Sequence, residues 1–351
     1  MTIQLRASGA GRWMRCAAAP RFATAVPETT NDAAREGTCA AWVAETVIRS
    51  TERIDADDML GKMHSNGWVV DDEMANHVSR YIDVIGRDST VEQSVSLWDG
   101  LILGTFDAKK IVGRTLYLID LKYGYKVVNV KSNWQVIVYT LGCWNDDWDN
   151  ACVSIYQPRA SHPDGILRSV WYTREELSAL AAELYAGAIN AHAAEPMAVP
   201  GSHCDDCPAA ATCRALAESN YIVGDVIRSP MQHTMTPDEI SAELTFLRRA
   251  AAMIDARLTA VAADAESLIA AGRIVPGWMM RAGTAHRKWN VDPAVVEIMT
   301  GKPAYRQVLR TPAEIERDGG DVTGLTTKPA TRRKLVPFDD ADVRQAFSER
   351  K

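Results

Sequence analysis

The sequence contains no run of about 18 consecutive apolar residues, the length that a membrane-spanning helix requires. Its N-terminal segment is rich in Arg and Ala but lacks the continuous apolar stretch of a secretory signal. Internal repeats and low-complexity tracts are absent as well. We therefore expect a soluble, cytoplasmic protein with no membrane partner, and we treat the N-terminal segment as part of the fold.

Neither an excess of positive charge nor an even number of cysteines is present. The 39 Lys and Arg residues are outnumbered by 45 Asp and Glu residues, which gives a net charge of −6. A basic groove can exist on an acidic protein, so the charge neither supports nor excludes binding to DNA. Seven cysteines without a secretory signal argue against a disulfide framework and favour thiolate ligands or buried free thiols.

The spacing of apolar residues predicts an α/β core. The 351 residues, 47% of them hydrophobic, are enough for two domains or for one domain with a large appendage. Helices are predicted at 31–53, opening at Thr38, at 71–86, and at 236–271 after a capping signal. Strands are predicted at 91–98, 101–111, 115–121, 151–157 and 167–172, with helices at 132–144 and 173–194. The long last helix would be an accessory arm.

Five polar side chains between residues 107 and 139 form the best candidate site. Residues 115–121, TLYLIDL, are predicted to form a strand, in which residues two apart point to the same face. Asp120 and Lys122 would therefore project together. Asp107 comes from the preceding strand, and Gln135 and Tyr139 share one helix face by their four-residue spacing. Carboxylates beside an ammonium group are able to hold a divalent metal and position a water. The competing interpretation of the single residues is that Asp107 lies in a turn and that Asp120 and Lys122 form an exposed ion pair.

Three cysteines with the spacing C-x2-C-x5-C form a second candidate site, at Cys204, Cys207 and Cys213. A tetrahedral metal site or a [4Fe–4S] cluster requires four soft ligands, so a fourth must come from elsewhere. Cys16 is the strongest candidate, because it follows the segment RWMR in a part of the chain without a clear helix or strand pattern. The other three cysteines lie in apolar patterns and are expected to be core thiols; they are Cys39, Cys143 and Cys152. Spacing alone does not separate zinc from iron–sulfur.

Five motifs in a fixed order resemble those of the RecB-like branch of the PD-(D/E)XK nucleases, especially its iron–sulfur members. They are RW-x-x-C ending at Cys16, G-T-x-D ending at Asp107, I-D-x-K ending at Lys122, Q-x3-Y at 135–139, and C-x2-C-x5-C at 204–213. A phage and prophage subfamily of that branch has the same five motifs in the same order. The resemblance covers 8–218 and extends weakly into the tail.

The resemblance implies a nuclease domain at 1–220, with a mixed central sheet flanked by helices, and a mostly helical accessory region with a basic tail at 221–351. It implies a DNA exonuclease that hydrolyses phosphodiester bonds in phage or prophage recombination or in DNA-end processing. DNA ends or single strands would be the substrate, and phage recombination or replication proteins would be partners. The protein would act in the cytoplasm of a bacterial host.

The resemblance also assigns roles to residues. Mg²⁺ or Mn²⁺ would be held by Asp107, Asp120 and the Leu121 carbonyl. Lys122 would orient the attacking water or stabilise developing negative charge, while the Gln and Tyr of the helix motif would contact the DNA strand or buttress the site. The four cysteines would hold a structural [4Fe–4S] cluster, with zinc as the alternative.

One position departs from the family pattern. The family places a metal-binding His in its first helix, where this chain has Ala41, and alanine has no ligand atom. Glu45, one helical turn further along the same face, is an oxygen ligand suited to Mg²⁺ or Mn²⁺. His64 or His77 are the other candidates for this role. If none of them replaces the His, Asp107, Asp120 and the Leu121 carbonyl alone would hold the metal, with weaker affinity. The alternative function is a catalytically impaired DNA-end-binding protein of the same fold.

Overall fold

A six-stranded mixed sheet forms the centre of the computed structural model, which describes residues 3–26, 32–227 and 235–280. The strands are β1 (Leu5–Arg6), β2 (Thr90–Leu97), β3 (Ile102–Val112), β4 (Thr115–Leu121), β5 (Asn150–Tyr156) and β6 (Leu167–Thr173). The middle three, β2 to β4, form an antiparallel meander. β5 then pairs parallel to β4 and antiparallel to β6, and β1 pairs parallel to the start of β3.

Eight α-helices surround the sheet in the described residues. They are α1 (Ala10–Trp13), α2 (Ala19–Ala23), α3 (Asp32–Arg49), α4 (Asp72–Ile85), α5 (Trp134–Cys143), α6 (Arg174–His192), α7 (Arg214–Ile227) and α8 (Pro237–Ala270). One core cluster packs α3 and α4 against one face of the sheet, and a second packs α5 and α6 against the other face. Alternate residues of β4 contribute to the two clusters. The sheet is therefore covered by α3 and α4 on one face and by α5 and α6 on the other.

The alternation of side chains along β4 explains how one strand serves both layers. Leu116 and Leu118 are fully buried in the cluster that contains α5, whereas Ile119 and Leu121 pack against the cluster that contains α3 and α4. Asp120 has the same parity as Leu118, so the pleat directs it toward the α5 layer. A carboxylate is thus inserted into a row of buried leucines.

The predicted start of the first long helix at Thr38 was wrong. Helix α3 already begins at Asp32, and Thr38 lies inside it with its hydroxyl donating to the Ala34 carbonyl at 2.9 Å. This bond to the carbonyl four residues earlier satisfies the hydroxyl within a helix, so Thr38 does not act as a cap. The preceding Gly37 also lies inside the helix, and nothing lies within 4 Å of the position its Cβ would take, so the packing does not require glycine there.

The other predicted helices and strands of the core are confirmed within about two residues at each end, a normal uncertainty for such boundaries. The α/β core with a mixed sheet flanked by helices is therefore confirmed. The N-terminal segment around Cys16 was expected to lack regular structure, but Cys16 lies between the short helices α1 and α2. None of the described helices is long and apolar enough to cross a bilayer.

The C-terminal part of the described chain is helical, as predicted. Helices α7 and α8 pack against each other, with Leu216 and Val223 of α7 buried beside Ala250 and Met253 of α8. The predicted domain boundary after residue 220 falls inside α7, and the division at that point stays a prediction. The basic segments of the predicted tail, at 281–288 and 331–334, lie outside the described residues.

Candidate nuclease centre and cysteine cluster

The candidate centre lies where β3 and β4 separate. Their backbone pairing runs from Val112 and Thr115 to Ala108 and Ile119 and ends there. One residue further along β3, the Asp107 carboxylate accepts a hydrogen bond of 2.6 Å from the Leu121 amide. At this point the Asp107 side chain replaces the backbone carbonyl as the acceptor for the neighbouring strand. This bond anchors Asp107, and the two strands separate beyond it.

Asp120 and Lys122 lie together, as predicted. The Lys122 Nζ is 3.0 Å from Asp120 Oδ2, and the Asp120 side chain is only 1% exposed. The contact is an ion pair, and neither carboxylate oxygen of Asp120 accepts a hydrogen bond of good geometry in the described structure. The buried carboxylate thus has the Lys122 ammonium as its charge partner but lacks the hydrogen-bond donors that normally surround such a group. The interpretation of this pair as an exposed ion pair is therefore wrong.

Helix α5 adds the two remaining members of the predicted group. Lys122 Nζ donates to Gln135 Oε1 at 3.1 Å, and Gln135 Nε2 donates to the Tyr139 hydroxyl at 2.9 Å. The helix is capped by Asn133, whose side chain accepts from the Gln135 amide. Gly104 on β3 makes room for the ring, because a Cβ at that position would lie 2.7 Å from Tyr139 Cε1. The Gly of the G-T-x-D motif thus lets the Tyr of the helix motif approach the sheet.

The electrostatics of the centre oppose the ionised form of Asp107. Burial, and then the charge of Asp120, hold the pKa of Asp107 well above its usual range, although Lys122 acts in the opposite direction. For Lys122, burial acts to lower the pKa, but Asp120 and Asp107 outweigh it and the pKa is raised. The lysine therefore stays protonated, and the two aspartates compete for its charge.

Glu92 on β2 belongs to this acidic centre and was not predicted. The hairpin register sets Val91 opposite Ala108 and Gln93 opposite Phe106, so Glu92 is aligned with Asp107. Burial raises the pKa of Glu92 to about 7, and the charges of Glu45 and Asp120 contribute to the rise. Once the pairing of β2 with β3 is known, counting back from the turn at 98–101 places Glu92 opposite Asp107.

The backbone of Glu92 is in the left-handed region, with φ of 48°, which is uncommon for a residue with a side chain. Arg49 on α3 supports this conformation, because its Nη2 donates to the carbonyls of Val91 and Glu92, both at 3.0 Å. The same guanidinium forms an ion pair of 2.7 Å with Glu45. Arg49 thus links the first helix to the strand that carries Glu92.

Of the candidates for the missing His, only Glu45 has a recorded link to the centre, through its charge on Glu92 and its pairing with Arg49. His64 packs on the ring of Trp42, with ring centroids 5.3 Å apart. His77 contacts the Tyr123 ring edge-on at 5.9 Å, and burial lowers its pKa. His77 Nδ1 also lies 4.0 Å from Glu73 Oε1, and His64 Nδ1 accepts from the Asn66 amide at 3.2 Å, so none of these described contacts is with an aspartate of the centre.

The four predicted cysteines come together. All four line one cavity between the N-terminal turn and the segment that follows α6. The four are Cys16, Cys204, Cys207 and Cys213. The Val199 amide donates to the Cys16 sulfur and the Gly201 amide to the Cys204 sulfur, each at 3.5 Å. Burial raises the pKa of the Cys204 thiol, and the three neighbouring sulfurs add to the rise. The other three cysteines lie outside this cavity, as expected, with Cys39 and Cys152 buried and Cys143 half-buried.

Both candidate sites have donor atoms of the right chemistry for their expected groups. The carboxylate oxygens of Asp107 and Asp120 suit Mg²⁺ or Mn²⁺, and four thiols, of which Cys16 and Cys204 accept amide hydrogen bonds, suit zinc or iron. In the described residues, however, no group of three or more His, Cys, Asp or Glu side chains is spaced to hold a metal ion. In the described structure, the side chains of each candidate site are therefore neighbours but are not arranged at metal-ligand distances.

Three solved structures are similar to parts of this chain. They are an alkaline exonuclease from Laribacter hongkongensis (17% identity, 53% of this chain, 90% of that chain, TM-score 0.23), a phage-related exonuclease from Haemophilus somnus 129PT (12%, 55%, 94%, 0.27) and the protein SSO0001 (15%, 40%, 67%, 0.26). At such identities and TM-scores, these likenesses do not establish an activity.

A comparison of the sequence with protein families gives a match over nearly the whole chain. The matching family is described as a protein of unknown function, DUF2800, and its model aligns with residues 3–343. The match includes both β3 and β4 and the cysteine segment. The chain therefore belongs to the DUF2800 family.

Proposed function

We propose that the protein is a metal-dependent DNA nuclease of the PD-(D/E)XK type. The observation that carries the proposal is the connected set of Asp107, Asp120, Lys122 and Gln135 at the point where β3 and β4 separate. Two carboxylates and a lysine on adjacent strands, with a glutamine from the following helix, match the order and spacing of the RecB-like motifs. The finer assignment, an exonuclease of phage or prophage recombination or of DNA-end processing, follows from that resemblance.

Asp107, Asp120 and the Leu121 carbonyl are proposed to hold Mg²⁺ or Mn²⁺. The buried oxygens of Asp120 support this role, because their described polar contact is the ion pair with Lys122 alone, and a metal ion would supply the coordination that hydrogen-bond donors do not. When bound, the ion would polarise the scissile phosphate and lower the pKa of a bound water. Glu45 or Glu92 would supply the oxygen ligand that replaces the family His at Ala41.

Lys122 is proposed to orient the attacking water or to stabilise negative charge on the phosphate. Its ion pair with Asp120 keeps the ammonium within reach of the site, and its bond to Gln135 fixes the direction of the side chain. Tyr139 in turn positions the Gln135 amide. Preorganised donors of this kind are worth several kcal/mol to a transition state because they need no reorientation during the reaction.

The four cysteines are proposed to hold a structural [4Fe–4S] cluster, with zinc as the alternative ligand. Their common cavity and the amide donors to Cys16 and Cys204 support a thiolate-bound group. Anaerobic purification followed by metal analysis and visible absorption distinguishes the two. A brown protein that contains iron supports the cluster, whereas a colourless protein with stoichiometric zinc contradicts it.

The nuclease proposal is tested with end-labelled linear DNA and Mn²⁺. Lys122→Met should lower the cleavage rate by about 100-fold or more, since it removes a charge that acts on the transition state. The matched control is Lys110→Met, which changes an exposed lysine on β3 that pairs with Asp88. The control should cleave at the wild-type rate.

The alternative is a DNA-end-binding protein that no longer cleaves. Two observations favour it: Ala41 carries no ligand atom, and Glu45 is already paired with Arg49. Tight binding to DNA ends without cleavage, in Mg²⁺ or in Mn²⁺, would support this alternative and contradict the nuclease proposal.

A further inference from the structure

Helix α8 carries an apolar stripe that is distinct from the face it packs with. From Ile240 onward, an apolar residue recurs after four and then after three residues along the helix. These residues are Ile240, Leu244, Leu247, Ala251, Ile254, Leu258, Val261, Ala265 and Leu268. This is an uninterrupted heptad pattern over nine positions. At about 1.5 Å per residue, the stripe is about 42 Å long.

The large members of the stripe are exposed in the described structure. The seven Ile, Leu and Val side chains are between 36% and 62% exposed, and Leu258 is the most exposed of them. Contiguous apolar surface of this extent is unusual on a monomer and marks an interaction site.

The opposite side of α8 is fixed to the cysteine segment. Ala250, Met253 and Ala256 are buried there, and Arg257 donates to the carbonyls of Ala210 and Ala211. The stripe is therefore not the face that the helix uses to pack onto the rest of the chain. It is held outward on a helix of 34 residues whose other side is anchored.

We propose that this stripe pairs with α8 of a second copy of the chain in a two-stranded coiled coil. A heptad repeat selects a partner helix with the same repeat, because its side chains fit as knobs into the holes of that partner. The flanking positions carry both signs of charge, with Glu243 and Asp255 as well as Arg248, so two copies would not repel each other along the seam.

Other parts of the chain do not match the stripe. The next longest described helices, α3 and α6, have 18 and 19 residues and are packed on the sheet. The sequence at 281–351 has no heptad run of comparable length, since Pro or Gly recurs along it, at Pro293, Pro303, Pro312, Gly320, Pro329 and Pro337. A second α8 is thus the partner that this chain itself provides.

The proposal is independent of the nuclease activity and is tested by the mass of the full-length protein in solution. Light scattering and sedimentation over a range of concentrations should give twice the chain mass of 38.5 kDa. Leu258→Glu should weaken the dimer at least tenfold and give the mass of one chain at low micromolar concentration. Thr259→Glu, an equal change of charge at the adjacent exposed position outside the stripe, should leave the dimer intact.

A second substitution within the stripe, Leu244→Gln, guards against local unfolding as the cause, and circular dichroism should show unchanged helix content in all three variants. The proposal is overturned if the wild-type protein has the mass of one chain at every concentration. It is also overturned if the dimer persists in both stripe variants.

Discussion

The proposed nuclease centre and the cysteine cluster are built in opposite ways. All the residues of the motif-defined centre lie between residues 107 and 139, on two adjacent strands and the helix that follows them. The cluster instead joins Cys16 to a segment that begins at Val199, 183 residues later in the chain. Its four cysteines lie in turns and in one short 3-10 helix at Ser202–Cys204, with Cys16 between α1 and α2 and Cys213 directly before α7.

This difference determines what each site needs for its shape. The register of β3 and β4 and the cap of α5 hold the carboxylates and the lysine in place before any metal binds. The cysteine segment is held by few contacts with the N-terminus, such as Ala18 N to Met197 O at 3.1 Å and Arg12 Nη1 to Asp206 O at 2.6 Å. We therefore expect that a bound metal or cluster mainly stabilises the fold at the cysteines and mainly supplies chemistry at the carboxylates.

The largest effect is expected from removing a cysteine ligand. Cys207→Ser should lower the melting temperature by about 10 °C or more, because a thiolate-bound metal contributes several kcal/mol and each kcal/mol corresponds to about 2–4 °C in a domain of this size. Thermal unfolding of anaerobically purified protein, together with its iron or zinc content, measures both effects.

Cys143→Ser is the matched control for that substitution. Cys143 lies at the end of α5, is half-buried and is remote from the cavity of the cluster. Its replacement should keep the metal content and cost about 1 kcal/mol. Equal losses in both variants would mean that the cysteine cluster has no special role in stability.

A smaller and opposite effect is expected in the nuclease centre. Asp107→Asn should abolish cleavage but raise the stability by about 1–2 kcal/mol in buffer without divalent cations, since it removes the cost of burying an ionisable carboxyl group beside Asp120. The amide oxygen of Asn is still able to accept from the Leu121 amide. Chemical denaturation and a cleavage assay on the same preparation measure the two changes.

Asp149→Asn serves as the control, because Asp149 is an exposed carboxylate whose pairing with Arg114 lies on the surface. It should leave both activity and stability unchanged. If Asp107→Asn instead destabilises the metal-free protein, the centre is not electrostatically strained, and the contrast between the two sites is lost.

The contrast also explains what the sequence was able to predict. The strand pattern of 115–121 fixed the faces of β4, so the meeting of Asp120 and Lys122 was predictable from the two-residue period. The spacing of four did the same for Gln135 and Tyr139 on α5. These are local rules, and the structure confirms each of these contacts.

The parts that were missed depend on pairing between elements. Glu92 joins the centre only through the register of β2 with β3, and its left-handed backbone is supported by Arg49 from another helix. The start of α3 at Asp32 was missed because Gly37 and Thr38 have turn propensity that the helix overrides. Local propensity does not carry such long-range information.

The smallest predicted effect concerns Glu92 and the pH dependence of stability. Its pKa rises from an ordinary 4.5 to about 7 in the folded protein, so between these values the folded state binds more protons than the unfolded state. By linkage, the free energy of unfolding contributed by this group falls as the pH rises from 4.5 to 7 and is level above that range. In Glu92→Gln this contribution is absent, so the variant should gain stability relative to wild type across the same interval.

Urea denaturation at a series of pH values measures the difference, and Glu183→Gln, at an exposed position on α6, is the control. Parallel curves for wild type and Glu92→Gln would place Glu92 outside the buried acidic centre. A difference that grows with pH and shrinks when Mn²⁺ is added to wild type would show instead that the centre carries excess negative charge until a cation binds.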